Sequence, residues 1–247
     1  SLKILKHSAG FTLDGITSSK KLLTPERNNL TNNLWFTAEY FTGLSLAGKP
    51  EKRLSYKAGI YSSDDSDEWG VNNASYFTHA SLSYDWAPDL GLDKALVTLD
   101  YVYNDKDPDA NTREFGHVIS VSSRWQRANW GLQTDLSAGD GDSDQEDLWG
   151  LVLMPYYSFT AMTQLVLRYT YLDSDGANGL RLNRYENRAV SGRGDEYNEY
   201  FAGLNLFFYG HKFKWQTGLQ YTTMDDAADD GGEYDGWGLT TGLRFSW

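Results

Sequence analysis

The sequence predicts an all-β protein: an antiparallel β-barrel that crosses a membrane with about twelve strands. Three observations predict it. Apolar and polar residues alternate over most of the chain, connections alternate between long and short, and aromatic residues are frequent. Of the 247 residues, 15% are aromatic, with 17 Tyr and 9 Trp. A membrane barrel combines many aromatic residues with a polar average composition, because only every second residue of a strand faces lipid and aromatic side chains gather at both interfaces.

Twelve segments alternate with the two-residue period that places successive side chains on opposite faces of a strand. Leu136, for example, falls between Asp135 and Ser137. Most segments are close to the roughly 9 to 11 residues that cross a membrane on a tilt. The segment around Pro155 is apolar on both faces, so its register is left open. The predicted strands are Leu2–Ser8, Leu34–Ala47, Arg53–Tyr61, Tyr76–Trp86, Lys94–Asn104, Val118–Gln126, Trp130–Ala138, Asp147–Phe159, Gln164–Leu172, Tyr197–Tyr209, Phe213–Met224 and Gly236–Trp247.

The connections between these strands sort by length. A membrane barrel has short turns on one side and long loops on the other, whereas a soluble sandwich has no reason to sort its connections in this way. The short connections are Gly48–Lys52, Ala87–Asp93, Arg127–Asn129, Thr160–Thr163 and Tyr209–Lys212. The long ones are Gly10–Asn33, Ser62–Ser75, Asp105–Gly116, Gly139–Glu146, Asp173–Glu196 and Asp225–Asp235.

The first long connection, Gly10–Asn33, differs from all the others. It neither alternates nor accumulates acidic residues, and Pro25 interrupts it. It also carries Lys20, Lys21 and Arg27. We predict that this connection folds inside the barrel and narrows it.

Charge and cysteine content exclude several classes of function. The chain has 34 acidic and 22 basic residues and a net charge of -12, which argues against nucleic acid as a partner. Acidic residues concentrate in the other long connections, where they either form solvated tips or bridge to lipopolysaccharide through divalent cations. The absence of cysteine excludes a disulfide framework and a thiolate metal site. The four histidines have no metal-ligand spacing, so no cofactor or metal is expected.

Strand parity predicts which charged side chains point into the barrel. Cationic side chains in a pore select anions, but mixed charges can also pair across the wall, and both roles stay open for these residues. The inserted connection adds Lys20, Lys21 and Arg27 to the interior. The predicted inward cations of the wall are Arg53, Lys57, Arg124, Arg168, Lys214 and Arg244. The predicted inward acids are Glu39, Asp85, Asp100, Asp135 and Glu199.

Three stretches carry a resemblance to a known family: the run GITSSKKLLTPERNNL from Gly15 to Leu30, Arg53–Tyr61, and Gly194–Lys212. They resemble the phosphate-selective porin O and P family, and the likeness extends from the first residues to the end of the chain. The resemblance implies a trimeric channel of the bacterial outer membrane with sixteen strands. It also implies an outer loop that folds inward to narrow the pore, and a lumen that carries Arg and Lys for anions.

The position of the inserted connection departs from that family. The inward loop of the family follows the fifth strand, whereas the matching segment here follows the first. We therefore expect residues 1–247 to form a single barrel domain that is the last twelve strands of a longer porin; closure as a smaller barrel is the alternative. The expected function is passive diffusion of small anionic solutes, phosphate or polyphosphate by resemblance. The expected partners are outer-membrane lipid, lipopolysaccharide, small anions and two further copies of the chain.

Two other classes of function remain open at this point. The barrel is an anchor or adhesin if it only displays its loops. An outer-membrane lipase places a Ser and a His on the outer wall, and His79 with Ser81 or His117 with Ser120 are the candidate pairs. His79 and Ser81 share the polar face of a strand, while His117 and Ser120 fall on opposite faces.

Overall fold

The computed structural model describes residues 1–34, 40–64, 75–105, 107 and 110–246. This part of the chain is built almost entirely of strands. They are β1 (Leu2–Ser8), β2 (Tyr40–Gly48), β3 (Leu54–Ser62), β4 (Tyr76–Asp85), β5 (Lys94–Asn104), β6 (Phe115–Arg127), β7 (Trp130–Gly141), β8 (Leu148–Ser158), β9 (Thr163–Ser174), β10 (Leu180–Arg181), β11 (Arg193–Gly194), β12 (Glu196–Tyr209), β13 (Phe213–Asp225) and β14 (Tyr234–Phe245). The helices are α1 (Asn29–Leu34) and α2 (Ala87–Leu90), with 3-10 turns at Ser19–Lys21 and Glu186–Arg188.

Twelve of these strands form one antiparallel sheet, which confirms the predicted architecture. The order in the sheet follows the order in the chain, β1 through β9 and then β12, β13 and β14. The remaining two strands, β10 and β11, pair with each other as a separate two-residue ladder within the connection from β9 to β12. Among the helices of the described ranges, none has the length and apolar content needed to cross a bilayer.

The two faces of the sheet differ as the alternation predicts. Leu136 is 51% exposed on the outer face, whereas Asp135 is 0% and Ser137 is 2% exposed on the inner face. Aromatic rings pack on the outer face at both ends of the strands. The ring centroids of Trp130 and Tyr157 lie 4.5 Å apart beside the short connections. Those of Tyr221 and Trp237 lie 5.0 Å apart beside the long ones. Two aromatic belts around an apolar band are the outer surface of a membrane barrel.

The inner face wraps around residues 9–34, hereafter the inserted segment. Its apolar side chains Phe11, Leu13 and Leu30 are fully buried in one core with inward side chains of the wall. Burial of a side chain of this size contributes about 2 kcal/mol. The inserted segment is therefore bound to the wall by a dry core as well as by polar contacts, and the prediction that it folds inward is confirmed.

One local prediction needs correction, and two others are not tested. Leu34 was predicted to begin the second strand but instead ends α1, and β2 is described from Tyr40. The helix forms because the Asn28 side chain accepts a hydrogen bond from the Thr31 backbone N–H at 2.7 Å, which caps its first turn. Glu39, which is predicted to face inward, lies outside the described residues, and so does Trp247, the predicted end of the last strand.

The register of β8, left open by the sequence, follows from the inserted segment. Val152 and Met154 point inward and are buried in the common core. The inner face is apolar here because it packs against the inserted segment rather than against water. Pro155 lies on the outer face, and the β8–β9 pairing is interrupted between Leu153 and Tyr156.

Candidate functional site

Wall cations hold the inserted segment by donating hydrogen bonds to its backbone. Arg124 on β6 donates to the Leu13 carbonyl at 2.9 Å and to the Thr17 hydroxyl at 2.7 Å. On β13, Lys214 donates to the Leu22 carbonyl at 2.5 Å. These side chains satisfy carbonyl groups that a segment without a strand partner would otherwise leave unpaired.

Two further wall cations make contacts of the same kind, and Arg168 on β9 makes a third. Lys57 on β3 donates to the Ser8 carbonyl at 3.2 Å, at the entry to the inserted segment. Arg244 on β14 donates to the carbonyls of Ser19 and Pro25. Because cations on strands from β3 to β14 donate to backbone carbonyls between Ser8 and Glu26, the sheet must curve around this stretch. Five of the predicted wall cations therefore contact the inserted segment or its entry: Lys57, Arg124, Arg168, Lys214 and Arg244.

Arg168 takes part in a fully buried ion pair with Glu199. Its Nε lies 2.8 Å from Glu199 Oε1, and both side chains are at most 1% exposed. The same guanidinium donates to the Thr24 hydroxyl at 3.0 Å and to the Glu26 carbonyl at 3.2 Å. The pair thus joins β9, β12 and the inserted segment at one point.

An acidic wall residue completes these anchors. Asp135 on β7 accepts a hydrogen bond from the Leu13 backbone N–H at 2.7 Å, and Ser120 and Ser137 donate to its other oxygen. Inside the inserted segment, Asp14 accepts from both the backbone and the side chain of Asn28 at 2.8 Å. The predicted inward acids Asp135 and Glu199 therefore serve as structural acceptors.

Polar cavities remain between the inserted segment and the wall. The first, hereafter the Lys21 cavity, has a volume of about 490 Å³ and is lined by Lys21, Lys94, Arg124 and His211. Amide side chains complete its polar surface: Gln126, Gln133 and Gln164. No carboxylate is found among the described residues that line it. The arrangement offers an anion several positive charges and hydrogen-bond donors with no competing negative charge.

A second cavity, hereafter the Lys57 cavity, lies on the other side of residues 16–18. Its volume is about 440 Å³, and its cations are Lys3 and Lys57. Hydroxyl groups line it further: Ser8, Ser18, Ser81, Ser83 and Thr98. Its lining is also free of Asp and Glu across the residues that the structure describes. Residues 16–18 line both cavities, so this stretch of the inserted segment is the partition between two cationic spaces.

The remaining predicted site residues lie in other settings. Lys20 is exposed on the 3-10 turn beside Lys21. Arg27 is half-buried and donates through Nε to the Asp14 carbonyl at 3.2 Å. Arg53 lies at the short-connection end, where it pairs with Asp89 through two bonds of 2.7 and 2.9 Å. Its hydrogen bond to Asp89 raises the pKa of Arg53 above its usual value.

Sequence reasoning missed three cations of the cavities. Lys94 shares parity with the inward Thr98 and Asp100, so extending the alternation to the end of β5 would have found it. On β1, Lys3 alternates with the outward apolar Ile4, so applying the alternation to this strand would also have found it. His211 lies in the turn between β12 and β13, and no periodic signal identifies it.

The two candidate Ser–His pairs have different partners. His79 Nε2 lies 3.3 Å from Asp100 in the interior, while Ser81 lines the Lys57 cavity. His117 Nδ1 lies 2.8 Å from the Tyr101 hydroxyl on the outer face, and Ser120 donates to Asp135 on the inner face. In the described structure, His79, His117 and Ser120 contact other residues, and Ser81 lines a cavity.

Comparison with known proteins places these features in a family. The sequence profile described as phosphate-selective porin O and P matches residues 1–158. Among solved structures, the outer membrane channel DcaP of Acinetobacter baumannii is similar to this chain, with a TM-score of 0.63 and 11% identity. The similarity covers 100% of this chain and 71% of the DcaP chain. A search of curated protein sequences finds no significant match.

Proposed function

The chain belongs to the phosphate-selective porin O and P family and is an outer-membrane porin, and from that premise we propose that it conducts small anionic solutes by passive diffusion. One observation carries the anion preference. Both described cavities beside the inserted segment are lined by cations and by neutral donors, with no carboxylate among their described lining residues. Cationic groups along a narrow path favour anions while holding each ion weakly enough to release it.

The contacts of the wall cations divide these cations into two groups. Arg168 and Lys214 are buried and committed to the inserted segment or to Glu199, so they do not face a water-filled path. Lys21 and Lys94 are exposed and border the Lys21 cavity, and Lys3 borders the Lys57 cavity. We assign ion contact to these exposed cations and to Arg124, and assign the positioning of the inserted segment to the buried ones.

The reversal potential of the purified protein in a planar bilayer tests the proposal. In a KCl gradient it should have the sign of chloride permeation. Phosphate added to the chloride solution should lower the chloride current if both anions occupy the same cationic cavities. A reversal potential of the potassium sign would exclude the proposed function.

The acidity of the solution should change this selectivity through His211. Burial, together with the nearby charge of Lys214, lowers the pKa of His211 from its usual value of 6.5. The imidazole is therefore neutral at pH 7 and gains a positive charge as the pH falls below that lowered pKa. We expect anion selectivity to rise on acidification, and His211→Ala to reduce that rise. An equal rise in the variant would assign the effect to other groups.

We propose, in addition, that further strands close the barrel between β14 and β1. Leu2, Ile4 and Leu5 on β1 are 60 to 68% exposed, and β1 and β14 are the two ends of the sheet order. Unpaired backbone groups within lipid cost several kcal/mol each, so such edges need partners. The DcaP chain, which is longer than the matched region, is consistent with additional strands.

The family resemblance also suggests the partners of the barrel. We propose a homotrimer, with the aromatic belts in contact with lipid or with neighbouring copies. The acidic outer connections, such as the one from β13 to β14, would face lipopolysaccharide and bind it through divalent cations.

A further inference from the structure

The connection from β9 to β12, residues 175–195, folds back over the inserted segment instead of extending into solvent. Its Leu180 and Leu182 are buried in the same core as Leu30 and Leu34 of the inserted segment. We call residues 175–195 the outer connection. It covers the inserted segment at the end of the barrel that carries the long connections.

Asparagine side chains of α1 join the inserted segment to the outer connection. Asn33 donates to the Arg181 carbonyl at 3.0 Å and accepts from the Arg181 backbone N–H at 2.9 Å. Asn29 donates to the same carbonyl at 2.8 Å. Asn33 thus pairs with Arg181 as a neighbouring strand would, through one donor and one acceptor.

A second set of contacts extends the same junction. The side chain of Asn32 donates to Asn183 Oδ1 at 2.8 Å, and Asn183 donates to the Arg27 carbonyl at 3.3 Å. The Tyr185 hydroxyl donates to Glu26 Oε1 at 3.3 Å. Residues 26–33 are therefore held from the outside by backbone and side-chain groups of the outer connection, and Arg113 donates to the Asn32 carbonyl at 3.1 Å. Residues 13–25 are held by wall cations.

The outer connection is less firmly built than the wall. Its own ladder, β10 with β11, has two residues in each strand and places Arg181 directly opposite Arg193. Like charges directly opposite in a ladder are destabilising. Arg113 adds a third positive charge: burial, then Arg181 and Arg193, lower its pKa to about 10. A short ladder with internal repulsion opens at lower cost than the twelve-stranded sheet.

From this junction we propose that the outer connection is a latch that holds the inserted segment in its narrowing position, with Asn29 and Asn33 as the positioning residues. Displacement of the latch from outside the cell would release α1 while the wall cations keep residues 13–25 in place. The channel would then widen at its outer end. The inference rests on the proposed channel function and adds to it a means of regulation from the outer surface.

Single-channel recording of Asn29→Ala with Asn33→Ala tests the latch. Three neutral hydrogen bonds to Arg181 are lost, each worth roughly fivefold in an equilibrium constant. The ratio of time in larger-conductance levels to time in the narrow level should therefore rise on the order of a hundredfold. Asn187→Ala is the matched control, because Asn187 lies exposed in the same connection. It should leave the levels unchanged. Equal level statistics in the double variant and the wild type, with the heat-resistant fold retained, would overturn the latch.

A cross-link provides a second test that does not depend on the fold of a weakened variant. The chain has no cysteine, so Asn32→Cys with Asn183→Cys can be joined by a short reducible bifunctional thiol reagent. The joined protein should lose its larger-conductance levels and regain them on reduction. Unchanged levels after cross-linking would overturn the latch. The reversal potential in the same records reports on anion selectivity separately, so failure of the latch and failure of the proposed function are distinguishable.

Discussion

Lys21→Glu combined with Lys94→Glu should turn the channel from anion-selective to cation-selective. Both side chains border the Lys21 cavity, whose described lining contains no carboxylate. A unit charge 4 Å from an ion changes its energy by about 1 kcal/mol even at the dielectric constant of water, so two reversals should change the permeability ratio by tenfold or more. The reversal potential in a KCl gradient measures the effect.

The matched control for this pair is Lys49→Glu with Lys52→Glu. These two residues carry the same charges on the exposed turn between β2 and β3, outside both cavities. The control should leave the reversal potential within the range of the wild type. Lys20→Glu, on the same 3-10 turn as Lys21, separates a local effect of the cavity from a general effect of the turn. Equal shifts of the reversal potential in the control and in the cavity variant would show that ions do not pass through the Lys21 cavity.

Arg168→Met should destabilise the barrel strongly. The substitution leaves Glu199, which is fully buried, without its ion-pair partner and removes two anchors of the inserted segment, at Thr24 and Glu26. Loss of one partner from a buried pair costs about 3–5 kcal/mol. We expect a lower midpoint of urea unfolding and loss of the heat-resistant form on electrophoresis.

Removal of both charges separates the two contributions. In Arg168→Met with Glu199→Leu no charge is left unpaired, and replacement of a whole buried pair by apolar groups is often close to neutral. The double variant should therefore regain most of the lost stability. Its conductance noise should exceed that of the wild type, because the anchors to Thr24 and Glu26 are missing in both variants. A double variant as unstable as Arg168→Met would show that the anchors, not the unpaired charge, dominate.

Much of the fold follows from the two-residue period of the sequence. The alternation around Leu136 predicts β7 and its inward Asp135, because an outward side chain must be apolar in lipid and an inward one can be polar. The period fails where the environment changes. Val152 and Met154 are apolar and point inward, since they face the inserted segment, and Leu34 continues the apolar pattern but belongs to a helix capped by Asn28.

The candidate site is less predictable for a related reason. Parity places Arg124 and Lys214 inward, but their partners are backbone carbonyls of the inserted segment, and the path of that segment is not periodic. The sequence therefore cannot divide inward cations into buried anchors and exposed cavity residues. The alternation on β5 could have predicted that Lys94 points inward. The position of His211 depends on how a turn approaches the inserted segment, which the sequence does not reveal.

The reversal potential of the wild-type protein in a tenfold KCl gradient at pH 7 tests the central claim most directly. The net charge of the chain is -12, so a channel governed by its overall charge would prefer potassium. If the cations of the Lys21 and Lys57 cavities govern permeation, chloride is preferred, and the preference weakens as salt screens them. A potassium preference that persists at low salt would contradict the account.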